Sequence, residues 1–307
     1  MKTLLLVVLI LVLLLLLGVL GTAFGALWTH FMRRPWRHKP CPRALEPHLG
    51  ELEAMEAKLR ALGLEDHYCV SGGCRLHAGL LDRGGRRVAV LIHGIEGSAR
   101  DRYLDAVYYL DRGYSLLFPD LHACGLSEGR WYGMGEFERR DLPVWLALVR
   151  ARFGPDCRIV LDGVSMGASS ALLTAGDGKA QNIAAVVADC GFSSAKEEIE
   201  HCLEGRHLPS FPFYPAIRLL MRLFAGYDLN RAEPLSLMRK MRTPVLFIHG
   251  EADALVPCSM AREMYVLCAS EKELYTVPGA SHVGSRVTDR AGCEARMDEF
   301  LSRVMPD

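Results

Sequence analysis

The chain has 307 residues, 50% of them hydrophobic, with 36 lysines and arginines against 36 aspartates and glutamates. That length suits one domain plus an extra segment, because a single core rarely grows beyond about 250–300 residues. A formal charge of zero, with no acidic or basic block in the body of the chain, argues against a nucleic-acid partner, which needs a basic surface.

The N-terminus is the compositional outlier. From Leu4 to Trp28 there is no charged residue, and a helix crosses the bilayer core in about 20 apolar residues. A cleaved secretory signal is the alternative, with small residues around Gly21 and Ala23 as the cut site, but the run exceeds the usual h-region of about 7–15 residues. Residues 1–30 are therefore read as a transmembrane anchor. Lys2 precedes the span; Arg33, Arg34, Arg37 and Lys39 follow it. The larger positive cluster stays in the cytoplasm, which predicts a single-pass cell-membrane protein with its main domain on the cytoplasmic side. The ten cysteines form no C-x-x-C pair or zinc-like cluster. Free thiols in a reducing compartment fit that orientation; a Cys69–Cys74 bridge has no other support.

Residues 31–64 read as a basic, proline-containing tether followed by an amphipathic helix over 49–62. The main domain spans 65–307. Early antiparallel strands are expected within 68–82. Apolar strands at 87–93, 115–119, 158–162, 183–189, 243–249 and 273–277 then alternate with helices at 101–112, 136–153, 166–175, 259–269 and 292–304. Such alternation predicts an α/β fold, a mostly parallel central sheet covered by helices on both faces. Residues 192–241 interrupt it with Phe211-Pro212-Phe213-Tyr214-Pro215 and a helical run over 216–224. An insertion this long is usually functional, and it is read as a helical cap over the site.

The pattern G-x-S-x-G occurs twice, around Ser127 and around Ser165. A nucleophilic serine on such a motif needs a strand, a sharp turn and a helix, so that its Oγ is exposed and the helix N-terminus faces the developing oxyanion. Around Ser165 the strand RIVLD runs straight into the motif and Ala168–Leu173 continues it as a helix. Around Ser127 the strand ends several residues earlier and Arg130-Trp131-Tyr132-Gly133 does not start a helix, so Ser127 is read as a loop residue. A serine also needs a base, and the base an orienting acid. Asp253 lies in the loop after the 243–249 strand, and His282 in a Gly-containing loop after the 273–277 strand. Both sit at strand carboxyl ends, where open α/β sheets build their sites. Glu251 is the runner-up acid and His249, which precedes the acid, the weaker base. Two backbone donors are needed for an oxyanion: Met166 N–H, just after the nucleophile, and Ile95 N–H in the His93-Gly94-Ile95-Glu96-Gly97 loop.

With the His93-Gly94 loop, the Asp120…Gly129 segment, the Ser165 elbow, Asp253 and His282 in this order, the chain resembles serine hydrolases of the α/β-hydrolase fold, in the serine aminopeptidase-like, Bem46-like branch of membrane-anchored bacterial members. The resemblance covers roughly residues 65 to 305. It implies Ser165, Asp253 and His282 as the catalytic triad, and a glycine–serine–glycine loop around Ser127 that does not supply the nucleophile. Asp120-Leu121-His122-Ala123-Cys124-Gly125 departs from the family's usual arginine and histidine-glycine there, which puts a substrate-contacting role of that loop in doubt.

The expected chemistry is acyl transfer from a small-molecule ester. His282 takes the Ser165 proton, Asp253 orients the imidazole, and water hydrolyses the acyl-enzyme. No metal or organic cofactor is implied. A lipid-derived ester or lysophospholipid and a small carboxylic or aryl ester fit equally, and serine peptidase or thioesterase chemistry on the same triad ranks lower. A non-catalytic membrane-tethered binding module is the rival from another class.

Overall fold

The computed structural model describes residues 1–33 and 47–306. The rest of the expected tether lies outside the described residues, with Arg34, Arg37, Lys39 and Cys41. The nine described cysteines are all free thiols.

Eight strands form one sheet: β1 (Glu65–Ser71), β2 (Cys74–Leu81), β3 (Arg87–Ile92), β4 (Ser115–Pro119), β5 (Arg158–Val164), β6 (Ile183–Asp189), β7 (Val245–Gly250) and β8 (Lys272–Val277). Their spatial order is β1-β2-β4-β3-β5-β6-β7-β8. The β1–β2 hairpin and the β2–β4 pair are antiparallel; from β4 to β8 every pairing is parallel. The central strands are apolar at consecutive positions because both faces of the sheet are covered. Val88, Val90 and Ile92 of β3, Ile159 and Leu161 of β5 and Val245 and Phe247 of β7 face one core. The alternate residues Ala89, Leu91, Val160, Leu246 and Ile248 face the other.

On the first face lie α4 (Glu136–Phe153), α5 (Met166–Gly176) and α9 (Cys258–Leu267), through Trp145, Leu172 and Met264 among others. On the second lie α2 (Leu49–Ala61), α3 (Ala106–Leu110) and α11 (Arg290–Val304), through Leu52, Leu59, Tyr109 and Phe300. The helix expected over 101–112 is tighter at its start. Residues Ala99–Asp105 form a 3-10 turn ahead of α3. Ala99 N–H donates to Asp120 Oδ1 at 2.7 Å and the Asp101 carboxylate accepts from Ser98 N–H at 3.0 Å, so this segment's entry is drawn onto the sheet.

The 192–241 segment forms α6 (Ala195–Glu204), α7 (Ser210–Leu220), a wide helical turn over Met221–Ala225, and α8 (Leu235–Met238). Helix α6 meets the loop that carries Asp253, where His201 Nε2 donates to Ala254 O at 3.1 Å. No residue of the 192–241 segment lines the main cavity described below. Instead α7 packs on the N-terminal helix α1 (Lys2–Ala26), which continues as a wide turn over Leu27–Phe31. Helix α1 with its continuation is long and apolar enough to cross a membrane. Its far end is fixed rather than loose: Tyr132 N–H donates to Phe31 O at 2.8 Å and Arg33 N–H to Arg130 O at 2.9 Å. The Arg33 guanidinium adds bonds to the carbonyls of Ser127 and Gly125, at 2.5 and 2.7 Å.

One buried ionic cluster ties the sheet to the segments above it. Asp162, fully buried on β5, accepts from Arg102 Nη2, Tyr109 Oη and both terminal nitrogens of Arg286, each at 2.8 Å. Burial alone would raise its carboxyl, but the charges of Arg286 and Arg102 hold it below the usual carboxylate range. Removing one member of a buried ion cluster leaves its partners uncompensated. Asp162→Ala is therefore expected to cost about 3–5 kcal/mol in chemical denaturation of the detergent-solubilised full chain; a loss below about 1 kcal/mol, the size of an exposed pair, would contradict this role.

Candidate active site

Ser165 joins the end of β5 to the start of α5, at φ 53° and ψ −125°. A positive φ is costly for a non-glycine residue, and close packing imposes it. A Cβ on Gly163 would lie 2.3 Å from Gly167 O, and one on Gly167 would lie 2.4 Å from His93 O. Only glycine at both places lets strand, turn and helix approach so closely. Ser165 N–H is anchored to Asp189 O at 2.8 Å on the neighbouring strand, and its side chain stands at the carboxyl edge of the sheet.

The other two candidates arrive on the loops after β7 and β8. His282 Nε2 is 2.9 Å from Ser165 Oγ, and His282 Nδ1 is 2.7 Å from Asp253 Oδ2. The structure thus brings the three side chains into one hydrogen-bonded row. The Asp253 side chain is fully buried and that of His282 is 20% exposed, so the acid is shielded while the imidazole reaches the cavity. Asp253 Oδ1 accepts the N–H groups of Leu255 and Val256 at 3.0 and 2.9 Å. Burial would push this carboxyl up; hydrogen bonds from His249 and His282, the His282 charge and Val256 N–H outweigh it and hold Asp253 well below the usual carboxylate range.

His249, the weaker candidate base, touches the acid and not the serine. Its Nε2 donates to Val256 O at 2.8 Å and lies 3.4 Å from Asp253 Oδ2. Glu251, the runner-up acid, faces outward to Thr276 Oγ1 at 2.8 Å and Arg262 at 3.2 Å. Ser127 is fully buried in a loop; its hydroxyl donates to Asp120 O at 2.7 Å and accepts from His77 N–H at 2.9 Å. Sequence reasoning missed the residues that fix the His282 loop. Four positions on, Arg286 binds Asp162 of β5, and Ser285 Oγ donates to Asp189 Oδ1 at 2.9 Å. The available signal was Asp162 itself, a charge at the end of the apolar run RIVLD that needs a cationic partner, though it does not identify that partner.

Of the two candidate oxyanion donors, Ile95 lines the cavity and Met166 directly follows Ser165. Met166 is the first residue of α5, where N–H groups have no partner within the helix. Gly94 and Ile95 line the cavity, and a Cβ on Gly94 would sit 3.3 Å from Ser165 Cβ. The loop is set by His93. Its Nε2 accepts Leu121 N–H at 3.0 Å, which leaves Nδ1 to donate to Gly94 O at 2.6 Å. Burial pushes this imidazole down, keeping it in the neutral tautomer that these two bonds require. Besides Ser165, the non-glycine residues Glu96, Cys190 and Val283 around the site also have positive φ, and backbone strain of this kind collects at functional sites.

The cavity in front of Ser165 has a volume of about 840 Å³. Ile95, Leu104, Leu255 and Val287 give it apolar walls, while Glu51 and Arg290 bring charge of both signs. Among the described residues one cluster, Cys190, Asp253 and His282, has possible metal-ligand atoms within 4.8 Å of one another. The chemistry does not suit a metal. Burial pushes the Cys190 thiol well up, away from the thiolate a metal needs, and Asp253 and His282 already satisfy each other.

Known proteins share this arrangement of elements. A family described as alpha/beta hydrolase fold matches residues 88–208, and one described as serine hydrolase matches residues 163–287, a stretch that contains Ser165, Asp253 and His282. The uncharacterised protein YqkD of Bacillus subtilis is 29% identical over 70% of this chain and 71% of its own. The uncharacterised Escherichia coli protein YfhR is 24% identical over 71% and 72%. Among solved structures, the Pyrococcus furiosus esterase Pf2001 superposes with a TM-score of 0.65 at 25% identity, over 80% of this chain and 92% of that one.

A buried carboxyl next to Asp253 gives the site a measurable pH signature. Burial, and then the negative charge of Asp253, push Glu198 of α6 from an ordinary 4.5 up to about 8. Its value is raised in the folded chain, so the unfolded chain releases this proton first as pH rises. Stability is then lost progressively between the two values and levels off above the higher one. Glu198→Gln should remove that loss. The variant is expected to gain on wild type by on the order of a few kcal/mol between pH 5 and pH 9 in thermal or denaturant unfolding; a difference between the two proteins that does not change with pH would contradict the shift.

Proposed function

Because the chain belongs to the α/β-hydrolase superfamily of serine hydrolases, we propose that it cleaves carboxylic esters through an acyl-enzyme on Ser165. The observation that carries this reading is the unbroken row Ser165–His282–Asp253, at 2.9 and 2.7 Å, assembled on three strand ends beside a cavity. In this mechanism His282 Nε2 takes the proton of Ser165 Oγ as the oxygen attacks the ester carbonyl. Asp253 keeps the Nδ1 proton in place and stabilises the imidazolium. The N–H groups of Met166 and Ile95 receive the oxyanion. The protonated imidazole then gives its proton to the departing alcohol, and a water activated by the same nitrogen releases the acid.

The ester assignment draws on the cavity and on the esterase Pf2001. An open space of about 840 Å³ with apolar walls admits an acyl or alkoxy group of moderate size. The mixed charge at its edge favours a substrate with a polar portion over a wholly aliphatic one. Helix α1 is read as a membrane anchor, and the positive residues that follow it put the hydrolase on the cytoplasmic side.

A chain-length panel of p-nitrophenyl esters, assayed with the full chain in detergent, tests the reaction. Wild type should hydrolyse short and medium acyl chains, and Ser165→Ala, His282→Ala and Asp253→Ala should each lower kcat by about 10⁴-fold or more. Ser127→Ala should stay within about threefold of wild type. Activity surviving in Ser165→Ala would overturn the assignment of the nucleophile.

A further inference from the structure

The helix pair α1–α7 leaves an apolar surface that the proposed chemistry does not use. Helix α1 and its continuation bury Val19, Ala23, Leu27 and Phe31, one residue every four, while all residues from Leu4 to Leu17 are exposed. Burial against the rest of the chain therefore begins at Val19. At 1.5 Å per residue, the exposed stretch from Leu4 to Gly18 covers only about 22 Å, against about 30 Å of bilayer hydrocarbon. A span that begins at Leu4 needs about 20 residues and reaches Ala23. By then α7 is already packed alongside.

What α7 and the following turn present at that level is apolar. Pro215, Leu219 and Leu223 follow one another at four-residue spacing on the exposed side. Leu219 is 51% exposed, Leu223 68% and Phe224 53%. The opposite side is built into the domain through Tyr214, Ile217 and Leu220. Phe224 meets Phe24 of α1 edge-on, with ring centroids 6.0 Å apart, and Phe24 stacks on Trp28 at 6.2 Å. Of these three rings Trp28 is of the amphipathic kind that collects at the membrane–water boundary. Two cations flank the stripe: Arg218, bound to Asp228 through two bonds of 2.6 Å, and Arg222, 59% exposed and 4.0 Å from the same carboxylate. Long basic side chains beside an apolar stripe place their stems on hydrocarbon and their charge among phosphates.

We propose that the face formed by α7 and Met221–Ala225 is a lipid-docking surface, with Leu219, Leu223 and Phe224 entering the boundary between headgroups and acyl chains and Arg222 meeting lipid phosphates. The occupant is the bilayer because the surface is continuous with α1; this rests on α1 spanning that bilayer. Docking at two places, together with the bonds of Phe31 and Arg33 to the 125–132 loop, gives the hydrolase one fixed attitude to the membrane. It does not swing on a tether.

The test places an environment-sensitive fluorescent amino acid at Leu223, Leu219, Ile10 or Val266 of the full chain. Each protein is reconstituted into vesicles of phosphatidylcholine and phosphatidylglycerol carrying nitroxide lipids at shallow or deep positions. Val266 is 70% exposed on α9, outside this face, and serves as the aqueous reference. Probes at Leu223 and Leu219 should be quenched at least twofold more than the probe at Val266 by the shallow nitroxide, and Ile10 by the deep one. If Ile10 is quenched while Leu223 and Leu219 behave like Val266, the docking surface is refuted and the anchor stands. If Ile10 also escapes the deep nitroxide, the anchor itself is refuted, and the docking surface with it.

Discussion

The structure depends on how closely β5, its turn and α5 are pressed against the end of β3. With glycine at 163 and 167 the backbones approach to distances at which any Cβ would collide with a carbonyl or the next turn of helix. This contact forces Ser165 into a positive φ and aims its Oγ away from the sheet. It also brings the N-terminus of α5 beside the start of the His93–Gly97 loop, with Gly167 against His93 O and Gly94 against Ser165. Relax the contact and the serine, the helix N-terminus and the Gly94 loop would each move by more than hydrogen-bond geometry tolerates.

A strained turn persists only when its surroundings over-determine it. Here that support is polar and buried. The Asp162 cluster binds the strand carrying Ser165 to the segment four residues beyond His282, and the Ser285–Asp189 bond adds a second tie to β6. Asp253 is held from three sides, by the imidazoles of His282 and His249 and by two backbone N–H groups. Each group occupies a position at which a displaced neighbour would leave a buried charge without its partner, which costs far more than a loosened surface contact. Rigidity at the site thus comes from electrostatics beneath it, and the cavity above stays open.

Much of this was legible in the sequence because it is local. Runs such as RVAVLIH and TPVLFIH are apolar at every position between their ends, which is what a strand buried on both faces requires, and β3 and β7 follow them to within two residues. Ser165 was separable from Ser127 by the segment after each motif, a helix in one case and a loop in the other. The partners of Asp162, the prop that His249 gives Asp253, and the seat of α7 were not legible. Each depends on how side chains meet in the folded chain, most of them across 50 or more residues, and hydrophobic periodicity reports only that a face is buried, not against what. The 192–241 segment shows the same limit: a helical run was anticipated over 216–224, but its packing on α1 was not legible.

One serine, distinguished by its strand-to-helix setting, is proposed as the nucleophile. The most direct measurement is to treat the folded full chain with a fluorophosphonate at limiting concentration and locate the adduct by peptide mapping and mass spectrometry. The account predicts a single adduct on Ser165, blocked when His282 is replaced. An adduct on Ser127, or no adduct on chain shown to be folded, would contradict it.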